Sequence, residues 1–559
     1  MPQLEKLQTD LEVRNFPAPT GGRRFDRASM ALFGVTAAII LITFRQYGIT
    51  WDEPLQMYHG TTVGRFYWLF VTGHYLPYEK VLIDGAWYQG LNHYGGLFDA
   101  VGAALSYASP FGRFETWHLF SALCGWLGVV GCWRIARRIG GPQSGFWTAL
   151  LMTITPRYYG AMFNNLKDVP FAAAYIWSID YLLQMAEAFP RPSRGLLLKT
   201  GVAIGVTIGA RVGGLLLLLY LGLMALLWAV VSLRRGEGWG PTMAVGRAAV
   251  FVTIVAWLAM LPGWPWLYGQ PLLRPFQALF GFANNYPWDG NELFQGAFYR
   301  ANKLPLNYLP TWLWISLPEI VLAGLVVGAI VAIVSVTRRP HLLLDLHWRR
   351  CGLLALSSAF PLVYAMATRP ALYDAARHFL FLIPPLVCLC GITLTEAISW
   401  LRRRGSIGPM ALHALVGAYL VYHVSVMIRL HPDEYVYVNQ TIGGLPGAFR
   451  NYETDYWGNS YREATLRLAD FVKQQGLGGQ QFRVMAESKR ESSSYYFPPE
   501  FAFTRKPEEA DFFLSTTRDR LDESVDGLVL FAVERFGVPL CIVKDRRALK
   551  GTRPPAWRE

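Results

Sequence analysis

Apolar residues in this chain are gathered in long blocks, and the polar stretches between the blocks are of very unequal length. A helix needs about 20 apolar residues to cross the hydrocarbon core of a bilayer. Eleven stretches read as such helices: 28–47, 116–135, 143–160, 168–187, 195–210, 212–233, 246–263, 309–336, 351–368, 379–400 and 408–428. The block 195–233 is too long for one span, and Arg211 with Gly213-Gly214 offers the only break in it. From about residue 430 the pattern turns polar and mixed. There Ala464, Leu466, Leu468, Phe471 and Val472 fall at helical spacing, and the run ends at Gly476. Phe482–Ala486, Asp511–Ser515 and Pro539–Val543 read as strands. The pattern therefore predicts a polytopic α-helical membrane protein of about eleven spans, with a transmembrane domain over 28–429 and a small C-terminal α/β domain within 430–559.

Lys and Arg near the ends of spans fix the expected orientation, because cytoplasmic loops retain positive charge. Clusters occur at Arg23, Arg24 and Arg27, at Arg134, Arg137 and Arg138, and at Arg191, Arg194 and Lys199. Further clusters are Arg234 and Arg235, then Arg338, Arg339, Arg349 and Arg350, then Arg402, Arg403 and Arg404. With eleven spans every cluster falls on one side, which predicts a cytoplasmic N-terminal tail over 1–27 and an extracytoplasmic C-terminal domain. Residues 1–27 lack the apolar core of a signal peptide, so the first span is expected to be an uncleaved anchor.

The opposite side receives 48–115, 161–167, 264–308, 369–378 and 429–559. Segment 48–115 carries Tyr58, Tyr67, Trp68, Tyr75, Trp87, Tyr88 and Tyr94, and segment 264–308 carries Trp264, Trp266, Tyr268, Tyr286, Trp288 and Tyr299. An interfacial belt accounts for most of these rings. It does not account for the length of two loops on this side only, which suits a working surface.

Composition agrees. Of 559 residues 53% are hydrophobic and 16% charged, against about a quarter charged in soluble domains. The net charge of +13 belongs with cytoplasmic loops, and no basic face with interleaved aromatics points to nucleic acid. Of the six cysteines, Cys124, Cys132, Cys351, Cys388 and Cys390 lie in or beside apolar stretches and Cys541 in the tail. Their spacing gives neither a zinc site nor a disulfide framework. Asn439-Gln440-Thr441 fits a glycosylation sequon, a three-residue match that arises often by chance.

Two carboxylates, Asp52 and Glu53, stand just beyond the first span in Trp51-Asp52-Glu53-Pro54, and Asp168 opens the fourth in Asn165-Leu166-Lys167-Asp168-Val169-Pro170. Ionisable groups are costly at a membrane edge and raise the odds of a site. On the same side stand Lys167, Arg211, Arg369, Arg377 and His378. Such a set suits transfer of a sugar from a lipid-linked phosphate to a hydroxyl. A carboxylate takes the proton of the attacking hydroxyl, and Arg or Lys holds the departing phosphate, so that no metal or other cofactor is required. Each residue also has a structural reading. Asp52, Glu53 and Asp168 suit helix starts, Pro54 suits a first turn, and Lys167 or Arg377-His378 suit interfacial anchors. Arg211, within an apolar block, requires a partner or water. His59, His74 and His93 are not spaced as metal ligands.

The acidic pair after the first span, the Asn-x-Lys-Asp-x-Pro segment and the exterior C-terminal domain together resemble the GT-C glycosyltransferases. The resemblance is to the family 39 group, which includes protein O-mannosyltransferases and the aminoarabinose transferase of lipid A. It covers roughly 28–430, and His431-Pro432-Asp433-Glu434-Tyr435-Val436-Tyr437-Val438-Asn439 also looks like bacterial members. It implies a polyprenyl-phosphate sugar donor, inverting transfer to a hydroxyl acceptor on the non-cytoplasmic face, and a bacterial inner-membrane location. Asp52 is then the base, with Glu53 the second choice, and Asp168 a supporting acid. Arg211 and Lys167, then Arg377 with His378, are the phosphate-binding groups. The chain lacks the MIR repeats of eukaryotic protein mannosyltransferases, which leaves the acceptor open. The alternative is a transporter or flippase of envelope glycan precursors, but that class favours charges deep in several spans and repeated halves, whereas the sequence has mostly edge charges and no repeat. A third alternative is a scaffold whose tail docks a partner.

Overall fold

A computed structural model describes residues 22–76, 78–81, 86–284 and 290–551. The tail through residue 21 and the aromatics Tyr286 and Trp288 lie outside the described residues. Helix occupies each of the eleven predicted stretches, and eight helices among the described residues are long and apolar enough to cross a membrane. Two of the eleven stretches are joined in one of those eight, Arg113–Thr153. Gly141 interrupts it with φ 83° and Pro142 follows, so it is two helices meeting at a kink. Two other predicted stretches are helices outside those eight. Asp168–Ala188 is buried along most of its length by neighbouring helices, so it needs no lipid-facing stripe. Arg194–Ala210 has 17 residues.

The break foreseen near Arg211 is present. Arg211 is extended, Val212–Gly214 forms a tight turn, and Leu215–Arg234 continues as helix. A Cβ on Gly214 would lie 2.7 Å from the backbone nitrogen of Ile208, so only glycine lets the second helix start this close to the first. The stretch 309–336, read as one span, is two helices, Tyr308–Ser316 and Glu319–Arg338. The physical reason is Pro318, which drives Leu317 to an extended backbone.

Buried side chains such as Tyr158, Tyr175, Ile179 and Leu182 form the centre of the helical part. The outer helix Glu319–Arg338 turns Val326, Ile330 and Ile333 outward, as a lipid-facing helix requires.

The long segment after the first span is ordered by two helices, Glu53–Val71 and Leu97–Ala108, which pack together through the buried pair His59–Asp99 at 2.8 Å. The second long loop holds a hairpin, β1 (Asn291–Phe294) and β2 (Ala297–Arg300). Its turn residues Gln295 and Gly296 both have positive φ, as a two-residue hairpin turn prefers.

The C-terminal unit is a helix, Tyr461–Gln474, laid on a five-stranded sheet of order β4-β3-β5-β7-β6. These strands are β3 (Phe482–Ala486), β4 (Phe501–Thr504), β5 (Phe512–Thr516), β6 (Leu528–Arg535) and β7 (Val538–Asp545). β4, β3 and β5 are parallel, whereas β7 and β6 add antiparallel. Leu468, Val472, Val484, Phe512, Leu514 and Cys541 form its own core. Residues between Leu430 and Tyr461 belong with the helical part instead, where Tyr435, Tyr437, Tyr452 and Trp457 join the main core. Asn439 of the sequon is buried there. Its Nδ2 donates to the carbonyls of Trp314 and Leu317 at 2.7 and 2.9 Å, a structural role that leaves it unavailable to a glycosylating enzyme.

Charged groups gather at two opposite ends of the helices. At one, Arg137 pairs with Asp26 at 2.7 Å, Arg134 and Arg138 with Asp180 at 3.0 and 3.3 Å, and Arg350 with Glu187 at 2.8 Å. Asp26 begins the first described helix, and Glu187 ends Asp168–Ala188. Asp52 follows that first helix, and Asp168 starts the other, so both acids stand at the far end.

Candidate active site

Asp52 immediately precedes the helix Glu53–Val71, and its side chain caps nothing there. It turns instead to Arg377, with which it is ion-paired. The Asp52 side chain is 37% exposed and that of Arg377 only 7%. The carboxylate is thus open to the solvent side while its cation is embedded. Burial on its own would raise the pKa of Asp52, but Arg377, Lys167 and Arg518 overcome it and hold the carboxyl below the usual range. Arg377 is fixed by more than this pair. Its Nη2 lies 3.0 Å from Asp374 Oδ2, and its guanidinium stacks over Tyr373 and Trp457, 4.7 and 5.6 Å from the ring centroids.

Glu53, one residue on, points elsewhere. It is buried, lies 2.9 Å from His118 Nε2 and accepts the Thr50 N–H at 2.7 Å. The Thr50-x-x-Glu53 spacing reproduces half of a capping box, so a local backbone role occupies this carboxylate.

Asp168 is built by its own motif. Asn165 Oδ1 accepts the N–H groups of Lys167 and Asp168 at 3.3 and 2.9 Å, which caps the helix that Asp168 opens. Asn165 Nδ2 donates to Asp168 Oδ2 at 2.9 Å, and the other oxygen of Asp168 pairs with Arg211. Lys167 lies against the Tyr94 ring, and the Arg211 guanidinium lies 5.9 Å from the same ring centroid. Gly95 permits this approach, because a Cβ there would collide with the carbonyl of Gly209. Burial and the neighbouring Arg211 push the Lys167 ammonium down to about 7, against the pull of Asp99 and Asp52. Lys167 thus feels the charges of Arg211, Asp99, Asp52 and Arg377. His378 packs edge-on against Tyr373, with ring centroids 4.5 Å apart, and feels the charge of Arg377, Arg211 and Lys167. Arg369 is exposed at the end of its helix.

The structure thus gathers Asp52, Asp168, Lys167, Arg211, Arg377 and His378, and leaves Glu53 and Arg369 aside. It adds Asp374, Tyr94, Trp457 and the tail residue Arg518, which lies 2.8 Å from Asp374. A narrow crevice beside Arg377 is lined by Arg157, Asn165, Ser316, Tyr456 and Trp457. Asp374 had a local signal, an acid three residues before Arg377. Arg518 had none, because only tertiary packing brings it here. No group of His, Cys, Asp and Glu arranged to hold a metal ion occurs among the described residues.

With this arrangement, known proteins can be compared. Residues 112–258 match the sequence model of the dolichyl-phosphate-mannose-protein mannosyltransferase family. The matched stretch holds Lys167, Asp168 and Arg211, and does not reach Asp52 or Arg377. The match agrees with the resemblance to GT-C glycosyltransferases drawn from the sequence. Solved structures of low identity also align along most of the chain. ArnT from Cupriavidus metallidurans in the apo state is 14% identical with a TM-score of 0.45, covering 94% of this chain and 99% of its own. The same protein bound to undecaprenyl phosphate is 14% identical with a TM-score of 0.44, covering 92% and 97%. The oligosaccharyltransferase AglB from Archaeoglobus fulgidus, in complex with an inhibitory peptide and a dolichol-phosphate, is 10% identical with a TM-score of 0.46, covering 87% and 69%. No curated protein sequence matches the chain.

Proposed function

We propose that this chain is a membrane glycosyltransferase that moves a sugar from a polyprenyl-phosphate donor to a hydroxyl acceptor. The observation that carries the reading is a solvent-open Asp52 on a buried Arg377, with Lys167 and Arg211 gathered beside them. The family match over residues 112–258 supports it.

In this mechanism the acceptor hydroxyl attacks the anomeric carbon from the face opposite the phosphate. The hydroxyl proton passes to the Asp52 carboxylate, and the bond from the anomeric carbon to the phosphate oxygen breaks. The electron pair leaves on the lipid phosphate, and the anomeric configuration inverts. Lys167 and Arg211 bind the phosphate and stabilise its added charge, with Arg377 and His378 at the edge of the same group. Asp52 is a weak base while it shares Arg377. A phosphate that draws on Arg377 raises the proton affinity of Asp52 as the hydroxyl arrives. Asp168 holds Arg211 in place rather than reacting. Glu53 has a structural role.

The basic end of the helices is taken as cytoplasmic by the positive-inside rule, which puts the reaction on the outer face of a bacterial inner membrane. The lipid tail of the donor lies in the bilayer and its phosphate at the boundary. Purified protein incubated with a panel of polyprenyl-phosphate sugars tests the reading. A donor that binds the folded state raises the melting temperature by mass action, and its sugar appears on a hydroxyl acceptor. Absence of stabilisation and of transfer across the panel would exclude this function.

A further inference from the structure

Several carboxylates converge on one guanidinium where the sheet unit meets the helical part. Arg518 follows β5 and is buried. Its Nη1 lies 2.8 Å from Asp374 Oδ1, its Nη2 3.7 Å from Glu292 Oε1 and its Nε 3.6 Å from Asp519 Oδ2. It donates to the Tyr456 carbonyl at 2.8 Å, and its guanidinium lies over Trp51, next in sequence to Asp52, 4.9 Å from the ring centroid. Asp374 has a second oxygen, and that one meets Arg377. Charges of alternating sign therefore run from the tail to the reacting acid: Arg518, Asp374, Arg377, Asp52. Asp374, which makes both links, and Ala375 after it have φ 57° and 61°, and Asp519 and Arg520, which follow Arg518, have φ 50° and 55°. Non-glycine residues adopt this region only when their surroundings enforce it.

We propose that Arg518 is a positioning residue for the active site: it holds one oxygen of Asp374, and the other oxygen of Asp374 holds one arm of Arg377 so that the other arm aligns Asp52. The inference rests on the reading of Asp52 as the base of a transferase. Asp374 needs such a partner. It is buried, its N–H donates to Glu292 Oε1 at 2.9 Å, and Glu453, Asp519 and Asp52 add negative potential to that of Glu292. Arg518 and Arg377 are the cations that oppose them. Burial and the neighbouring acids push the Asp374 carboxyl up while Arg518 and Arg377 hold it down, so loss of Arg518 raises it further and favours its protonated form. Arg377 then loses its anchor.

The test is the pH profile of kcat/KM for sugar transfer from a polyprenyl-phosphate donor, over about pH 6 to 9, for the wild type, Arg518→Gln, Arg518→Lys, Asp374→Asn and the Arg518→Gln/Asp374→Asn double variant. Arg518→Gln is expected to move the acidic limb to higher pH, with a roughly tenfold loss at the acidic end and recovery toward wild type at the alkaline end. Arg518→Lys restores most of the profile. Asp374→Asn is low at every pH, with donor affinity retained, and adding Arg518→Gln lowers it no further. A constant ratio to wild type across the range, or additive losses in the double variant, would overturn the proposal, because that is how loss of mere docking behaves. If Arg518→Gln fails to fold, the Arg518→Lys and Asp374→Asn profiles decide by the same criteria. Wild-type protein that transfers no sugar would count against the transferase reading itself. Wild-type transfer with an unshifted Arg518→Gln profile would count against Arg518 alone.

Discussion

At the scale of residues, the candidate site is two ion pairs, Asp168–Arg211 and Asp52–Arg377, with one lysine in their field. Asp52→Asn keeps size and removes basicity, so transfer should fall about a hundred- to ten-thousandfold while the protein elutes and melts as before. Full activity in that variant would remove Asp52 from the role of base. Lys167 makes a separate prediction. Its ammonium is pushed down to about 7, so in the free protein the positive charge is lost as pH rises through that value. The donor phosphodiester holds a single negative charge over this range, and the titration belongs to the protein. Donor affinity should therefore weaken as pH rises past about 7, and binding above that pH should take up a proton. Calorimetry in two buffers of different ionisation enthalpy measures the uptake, and Lys167→Met should abolish it. Asp52, Asp168, Lys167, Arg211 and Arg377 were legible in the sequence because charge next to an apolar block is conspicuous. Arg518 was not, because nothing in Thr517-Arg518-Asp519 differs from an ordinary surface turn.

At the scale of elements, proline and glycine decided what hydropathy could not. Gly141-Pro142 makes the kink at which two predicted spans meet, Arg211 to Gly214 divides the long block where foreseen, and Leu317-Pro318 cuts a stretch that periodicity read as whole. Helix and strand in the tail were read where apolar runs were dense, as in β3, whose limits agree with the sequence reading. The strands Phe501–Thr504, only four residues long, and Leu528–Arg535, whose apolar run does not alternate, were missed, and they form the two edges of the sheet. Two substitutions test the elements that carry the site. Glu53→Ala leaves His118 without its buried partner and should cost about 3–5 kcal/mol, seen as a lower melting temperature with near-normal turnover per folded molecule. Selective loss of kcat with an unchanged melting temperature would instead return Glu53 to the chemistry. Gly95→Ala forces the Tyr94 loop off the Gly209 carbonyl and should weaken donor binding with little change in the pH profile, measured by titration of the donor.

At the scale of the whole molecule, the two charged ends give the chain a direction. Cysteines introduced at the exposed positions Arg234 and Gln475 should respond oppositely to a membrane-impermeant maleimide applied to spheroplasts. Gln475→Cys is expected to react and Arg234→Cys to react only after lysis, and the reverse would invert the orientation. The helix Asp168–Ala188 has 21 residues and joins the two ends. At 1.5 Å per residue it is about 31 Å long, close to the hydrocarbon thickness of a typical bilayer. In the proposed function the donor phosphate is held at the boundary by its lipid tail, so a bilayer of another thickness would offer it above or below the reach of Lys167 and Arg211. Reconstitution in lipids of graded acyl length should give turnover with an optimum, falling on both the thin and the thick side, so that the surrounding lipid acts as a silent co-determinant of catalysis.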